Sequence, residues 1–346
     1  MNLRKQFDVP ASAILLAEGK FGTTAAKTTN GVVAQSELFD AEVIVDSTTA
    51  GKTARDVLAR NDVDPVPIVS SVEEALERCP DAEALIIGVA PAGGTLPESW
   101  EPGIRTAIEC GCHVVSGMHT YLSEDPSWQS LADEHGVSLF DVRKPPAEEN
   151  RRIADGSVDE IDCDVVLTLG TDCSIGKRTT TFELYRAAKA AGFDAGWVAT
   201  GQTGIMTGAH QGVAIDGVPA DFTSGIVEQM VVDVGSEHDI VFVEGQAALT
   251  HRAYSGVTLA VLHGSWPDVT VLADQPDRER RTHSHFPVEG VEKEIHLIEQ
   301  LSDTEVVALS TWGDPETERE AHGLPAANIY EENGPQALLG AVCEHL

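Results

Sequence analysis

Val165–Gly192 reads VVLTLGTDCSIGKRTTTFELYRAAKAAG. Five apolar-rich residues lead into a glycine-bearing turn, and an amphipathic stretch starts at Lys177. That order predicts a β-strand, a tight loop and a helix. Backbone N–H groups of such a loop converge on an anion, and the helix N-terminus adds partial positive charge. Lys177 follows Gly176 where a lysine reaches a terminal phosphate. The usual phosphate-loop pattern is G-x-x-x-x-G-K-[ST]. Here Gly170 lies one residue too early, and Arg178 replaces the hydroxyl that normally ligates Mg²⁺. The loop, Gly170, Thr171, Asp172, Cys173, Ser174, Ile175, Gly176, Lys177, Arg178 and Thr179, is therefore expected to hold the phosphates of a cofactor. Thr179, one residue on, is the candidate substitute Mg²⁺ ligand, with Arg178 instead able to bind another phosphate or a carboxylate, and the altered position favours a ligand that need not be hydrolysed.

Strand-like and helix-like stretches alternate on both sides of this loop. SAILLA from Ser12, EVIVD from Glu42, ALIIGVA from Ala84, HVVSGM from His113 and VSLFDV from Val137 read as strands. Between them lie helical patterns, such as SSVEEALERC, with Ser70 and Glu73 placed as a capping box. Arg143–Cys163 is polar, carries Pro145-Pro146 and lacks apolar periodicity, so it marks a domain connection. A second series follows: DVVLTLG from Asp164, AGWVATG from Ala195, DIVFVEGQ from Asp239, DVTVLAD from Asp268 and EVVALST from Glu305. Alternating β and α implies parallel sheets covered by helices. The expected fold is α/β: a Rossmann-like domain over residues 1–150, then a P-loop NTPase-like three-layer α/β/α domain over 151–346.

The chain carries 56 acidic against 23 basic residues, a net charge of −33, which excludes nucleic acid as an expected partner. Only eight residues are lysine, a bias that fits a cytoplasm of molar salt, where charge repulsion is screened within about 3 Å. Three of those lysines, Lys20, Lys52 and Lys177, follow a glycine. Lys20 is a candidate contact to a phosphate or carboxylate; Lys52 reads as a turn residue. No apolar run approaches the roughly 20 residues that span a bilayer. The expectation is a cytoplasmic protein with a small-molecule substrate, no membrane partner and a homo-oligomeric state. The six cysteines show neither zinc-site spacing nor an easy disulfide and are expected to be reduced thiols.

Loops beyond the carboxyl ends of parallel strands form the site in open α/β folds. ATGQTGIMTGAHQGVAIDGVPADF, from Ala199, is such a loop by position. Gln202, Thr203 and Gly204 are expected at that edge, with Asp216 and Asp221 able to ligate Mg²⁺ or hold a substrate ammonium. In the first domain, Gly19, Phe21, Gly22 and Asp46 form only part of a dinucleotide fingerprint.

The spacing G-T-D-x-x-x-G-K resembles the loop of the dethiobiotin synthetase and cobyric acid synthase branch of P-loop proteins. DIVFVEGQAAL resembles that branch's strand ending in Glu-Gly, which implies Glu244 faces the phosphates or Mg²⁺. More broadly, GKFGTTAAKTTNG, SGMHTYL, GTDCSIGKRTT, ATGQTGIMTGAHQG, EGQ and LHGSWPD together resemble one family. That family, long labelled a domain of unknown function, joins a Rossmann-like half to a P-loop half, and members are described as D-glutamate N-acetyltransferases. The resemblance implies acetyl-CoA as cofactor and an acidic amino acid as substrate. Arginines suit the two carboxylates: Arg178, Arg252 or the cluster Arg278, Arg280, Arg281, although that cluster also reads as a solvated loop. The attacking amine needs a base, and His251, His263, Glu244 and Asp221 are the candidates. Two other readings stay open. One is an ATP- and Mg²⁺-dependent ligase or kinase-like enzyme; the other is a non-enzymatic nucleotide or CoA sensor.

Overall fold

The computed structural model describes residues 1–89, 91, 94–282 and 285–346. The chain divides into Met1–Pro145 with Gly201–Ala209, and Pro146–Thr200 with His210–Leu346.

Among the described residues, the first unit holds a six-stranded sheet: β1 (Ala11–Leu16), β2 (Phe39–Val45), β3 (Ile68–Val69), β4 (Ala84–Ile87), β5 (His113–Ser116) and β6 (Leu139–Asp141). Their order is β3-β2-β1-β4-β5-β6, and these neighbours all pair in parallel. The helices between them are α1 (Lys27–Gln35), α2 (Ala54–Leu58), α3 (Val72–Arg78), α4 (Glu101–Glu109) and α5 (Pro126–His135). This is the Rossmann-like domain, with its strand order reversing between β1 and β4. Ile14, Leu16, Val43, Leu85 and Ile87 of the sheet pack with Val72, Leu76, Ile104 and Ile108 of α3 and α4. The cap of α3 sits one residue later than the sequence suggested. Ser71, not Ser70, accepts the Glu74 amide at 3.2 Å, and the Glu74 carboxylate, not that of Glu73, receives the Ser70 amide.

Asp46 is committed to the turn after β1. Its carboxylate accepts the amides of Gly19 (3.2 Å), Phe21 (2.9 Å) and Thr48 (2.9 Å) and the Thr48 hydroxyl (2.6 Å). Burial pulls its pKa up, but those hydrogen bonds outweigh burial and hold it below the ordinary value. Asp46 thus fastens the turn that carries Gly19 and Phe21.

The second unit holds β7 (Asp164–Gly170), β8 (Ala195–Ala199), β9 (Gln211–Gly212), β10 (Ile240–Glu244), β11 (Val269–Asp274), β12 (Glu305–Thr311) and β13 (Ala326–Ala327). Their order is β13-β12-β11-β7-β10-β8-β9, again parallel throughout the described pairs. The remaining helices are α6 (Lys177–Ala190), α7 (Gln202–Thr207), α8 (Ala220–Gly235), α9 (Ser255–Ser265), α10 (Val291–Leu301), α11 (Pro315–His322) and α12 (Gly334–Cys343). Consecutive residues of β7, β10 and β11 are buried, as expected of strands covered on both faces. Val165, Leu167, Val241, Val243 and Leu272 meet Ile226, Val227 and Met230 of α8 in one core.

The polar connection is not a free linker. Arg152 pairs with buried Glu228 of α8 at 2.9 Å, and the Asp155 and Gly156 amides donate to the same carboxylate. Gly201–Ala209, which contains α7, belongs to the first unit although it follows a strand of the second. There Thr203 shares a 2.9 Å hydroxyl hydrogen bond with Thr28 of α1. Among the described residues, no helix is long and apolar enough to cross a membrane.

Candidate active site

β7 delivers the glycine-rich loop to the carboxyl edge of the second sheet, with β10 and β11 on either side. Gly176, at the start of α6, has φ +98°, a left-handed conformation that L side chains rarely adopt. A Cβ there would stand 3.1 Å from Nε1 of Trp312 and 3.7 Å from the Tyr330 hydroxyl, so the turn also needs the space glycine leaves. The Lys177 side chain is buried and folds back to donate to the Asp172 carbonyl. Burial pushes its ammonium pKa down to about 8, against the upward pull of Cys173, Asp172, Glu244 and Glu294. The loop therefore stores one buried, poorly compensated cation beside a helix N-terminus. An arriving phosphate would restore its charge balance.

Glu244 ends β10, directly paired with Thr168 of β7, and is 6% exposed. Its negative charge acts on both Lys177 and Arg178. Gly245 follows because nothing larger fits: a Cβ would lie 2.1 Å from the Thr168 carbonyl oxygen. Arg178 is half-buried, and burial lowers its pKa against the pull of Glu244, Tyr330 and Glu183. Of the threonines that follow, Thr180 bonds Ser310 at 2.7 Å and Thr181 donates back to the Lys177 carbonyl at 2.9 Å. Thr179 is buried in the same first turn.

Sequence reasoning missed how the loop is held. Asp172 is fully buried; its Oδ2 accepts Arg278 Nη1 at 3.0 Å and the Thr282 amide at 2.8 Å. Burial would raise its pKa, but bonds from the Thr282 and Cys173 amides and from Arg278 outweigh burial and keep it low. Arg278 also donates to the Cys173 carbonyl at 2.7 Å, and Arg281 to the Thr171 carbonyl at 2.6 Å. These two arginines are neither a solvated loop nor free for a substrate carboxylate; they clamp the phosphate loop. Arg280 beside them is exposed. The one sequence signal was the position of these arginines just after β11, a strand that pairs with β7.

The other expected site residues are scattered. His251 is buried, with Nε2 3.7 Å from Asp172 Oδ1. Its Nδ1 accepts the Ala253 amide at 3.2 Å, so Nε2 bears the ring proton and faces the loop as a donor, not a base. Burial lowers its pKa, helped by Arg281 and opposed by Asp172. His263 lies in the last turn of α9, which runs from the carboxyl end of β10 to the start of β11. That places it at the sheet edge opposite the loop, exposed, with Nε2 3.1 Å from the Leu301 carbonyl. The topology thus removes it from the loop's chemistry. Asp216 and Asp221 are exposed and follow β9, three strands from β7. Among the described residues, the group of three or more His, Cys, Asp or Glu donors close enough to share an ion is Asp172, Cys173 and His251. It contains neither Asp216 nor Glu244. Gln202, Thr203 and Gly204 lie in α7, which begins just after the carboxyl end of β8 and is counted with the first unit. Lys20 is exposed after β1. Arg252 is exposed, its guanidinium 4.5 Å above the Phe286 ring.

A parallel sheet feeding a glycine turn, a buried lysine and a helix defines the second unit as a P-loop domain. Residues 152–339 match the DUF1611 P-loop domain, a domain of unknown function, and residues 47–145 match its Rossmann-like N-terminal domain. The chain belongs to the DUF1611 family. A DUF1611 family protein of known structure from Anabaena variabilis superposes with a TM-score of 0.85 at 34% identity, covering 96% of this chain and 99% of that one. A D-glutamate N-acetyltransferase from a Pseudoalteromonas species is 39% identical over 220 residues, 62% of this chain and 64% of that protein. A protein of the same name from Tritonibacter scottomollicae is 39% identical over 210 residues, 60% of each chain. The chain thus matches somewhat under two thirds of the length of these relatives.

Proposed function

We propose that the protein is an N-acetyltransferase that moves the acetyl group of acetyl-CoA to the amine of D-glutamate or a similar acidic amino acid. The observation that carries this reading is the 39% identity to two proteins named for that activity. The site suits the cofactor. CoA brings a pyrophosphate, and the loop offers the α6 N-terminus and a buried Lys177 whose charge nothing fully offsets. Holding phosphates without cleaving them needs no Mg²⁺ hydroxyl at the Arg178 position. Arg252, exposed and stacked on Phe286, is available for a substrate carboxylate. Glu244 is the remaining base candidate beside the loop, its carboxylate buried at the end of β10.

One observation favours a second reading. Glu244 at the end of β10 and Lys177 at the start of α6 act on each other, as a metal-nucleotide site requires, with Thr179 in the first turn to complete it. That reading is an ATP-dependent ligase or kinase-like enzyme. The test is release of free CoA when acetyl-CoA and D-glutamate are mixed with the protein in molar KCl, beside phosphate release from Mg-ATP. Acetyl transfer predicts the first signal alone, lost in Lys177→Ala. Phosphate release without CoA release moves the ligase reading to first place. Binding with neither signal leaves a nucleotide or CoA sensor.

A further inference from the structure

The chain's cysteines are chemically unequal. Burial, with Cys110 and Cys79 nearby, pushes the Cys112 thiol up to about 11. Burial and the carboxylates of Asp164 and Asp268 push Cys163 up to about 12, and burial also raises Cys343. Such thiols stay protonated and inert. Cys173 is placed differently. It is partly exposed in the turn before α6, and its sulfur, an Asp172 carboxylate oxygen and a His251 ring nitrogen lie within 4.8 Å of one another.

Those three donors have the composition of a metal site, but the imidazole faces the wrong way chemically. With Nδ1 accepting the Ala253 amide, Nε2 carries the proton and has no lone pair to give an ion. Arg278 and Arg281, 3.0 and 3.8 Å from the Asp172 carboxylate, already supply its positive charge. Nε2 of His251, in a side chain 1% exposed, has no hydrogen-bond partner, and neither has Asp172 Oδ1. A buried N–H donor without an acceptor is costly, so it calls for a third group. The sulfur beside it supplies an acceptor when it is a thiolate.

We propose that Cys173 is a stabilised thiolate, the first thiol of this chain to react with hydroperoxides and other electrophiles, and that its oxidation closes the phosphate loop. As a thiolate the sulfur supplies the acceptor that the buried Nε2–H of His251 lacks, and the Lys177 ammonium and α6 N-terminus favour the negative charge. In the reaction the sulfur attacks one peroxide oxygen, the O–O bond breaks, and hydroxide leaves, taking a solvent proton to become water. The sulfur loses two electrons and becomes a sulfenic acid, which a small thiol returns to the free thiol through a mixed disulfide. The added oxygen stands beside Lys177 and competes with phosphate for its ammonium. This last consequence rests on the proposed phosphate site; the reactivity does not.

The experiment is iodoacetamide labelling of the full chain in molar KCl below neutral pH, followed by peptide mass mapping. Cys173 should be alkylated at least about tenfold faster than exposed Cys110 and Cys343, because a thiol pKa one unit lower carries tenfold more thiolate. Hydrogen peroxide with dimedone should place the sulfenic adduct on Cys173. His251→Phe should move the midpoint of Cys173 labelling to higher pH. If that variant does not fold, the wild-type labelling order and pH profile decide alone. Faster labelling of Cys110 or Cys343 overturns the proposal, as does a Co²⁺ thiolate charge-transfer band that needs Cys173. Inorganic pyrophosphate separates the two parts. Equal binding to oxidised and reduced protein overturns the loop closure. Binding to neither sinks the phosphate site while the labelling order still judges the thiol.

Discussion

Arg278 holds Asp172 from 106 residues further along the chain: Nη1 stands 3.0 Å from Oδ2 and, from the same nitrogen, 2.7 Å from the Cys173 carbonyl. One guanidinium thus fixes both the side chain and the backbone of the turn that presents Lys177. Removing it leaves a buried carboxylate with less compensation, which is the costly way to break such a pair. Arg278→Ala should lower stability by about 3 kcal/mol and weaken pyrophosphate binding, read by thermal melting and calorimetry. Arg278→Lys should recover part of the stability but not the fork that reaches both acceptors. Unchanged pyrophosphate affinity in the alanine variant would show that the clamp does not shape the loop.

Lys177 makes the protein's stability depend on pH in a defined direction. Burial holds its folded pKa at about 8, below the 10.5 of an ordinary lysine. Between those values the unfolded chain binds more protons than the folded one, so stability rises with pH across that window. Below pH 8 both states are protonated, and the full burial penalty applies. Lys177→Met should remove the rise, measured as melting midpoint against pH. Phosphate affinity runs the other way. It should fall by up to about tenfold per pH unit above 8 as the ammonium loses its proton.

Gly245 sits where two adjacent strands touch, and a Cβ would meet the Thr168 carbonyl oxygen at 2.1 Å. Gly245→Ala must push β10 from β7, displacing Glu244 from the loop. A loss of about 3 kcal/mol is expected by chemical denaturation, with activity falling further than stability alone explains.

How much of this was legible in the sequence follows from how local each feature is. The strand, Gly176 and Lys177 lie within one continuous stretch from Asp164 to Lys177, so spacing alone placed the loop at the start of α6. The parallel sheets were legible because β1, β7 and β11 are long apolar runs. β3, β9 and β13 are two residues each and carry no period to detect. The Asp172 clamp draws Arg278 and Arg281 from beyond β11, and no spacing rule links residues so far apart. The departure of α7 into the first unit was hidden for the same reason, since Gly204 and Ile205 look like any glycine-rich loop.

The two histidines offered as bases make a sharp contrast. α9 carries the chain across the sheet, so His263 sits at the edge where β11 begins, whereas His251 lies beside Asp172 at the loop. His263→Ala should keep kcat/KM for the proposed acetyl transfer within about twofold, since surface changes away from a site cost little. His251→Ala should lower it by at least about tenfold, mainly by loosening the loop around Asp172. Because Nδ1 of His251 is capped by the Ala253 amide, that loss should be nearly pH-independent above neutrality. A basic limb that vanishes in His251→Ala would make the imidazole the proton acceptor after all, and steady-state CoA release across pH reads either outcome directly.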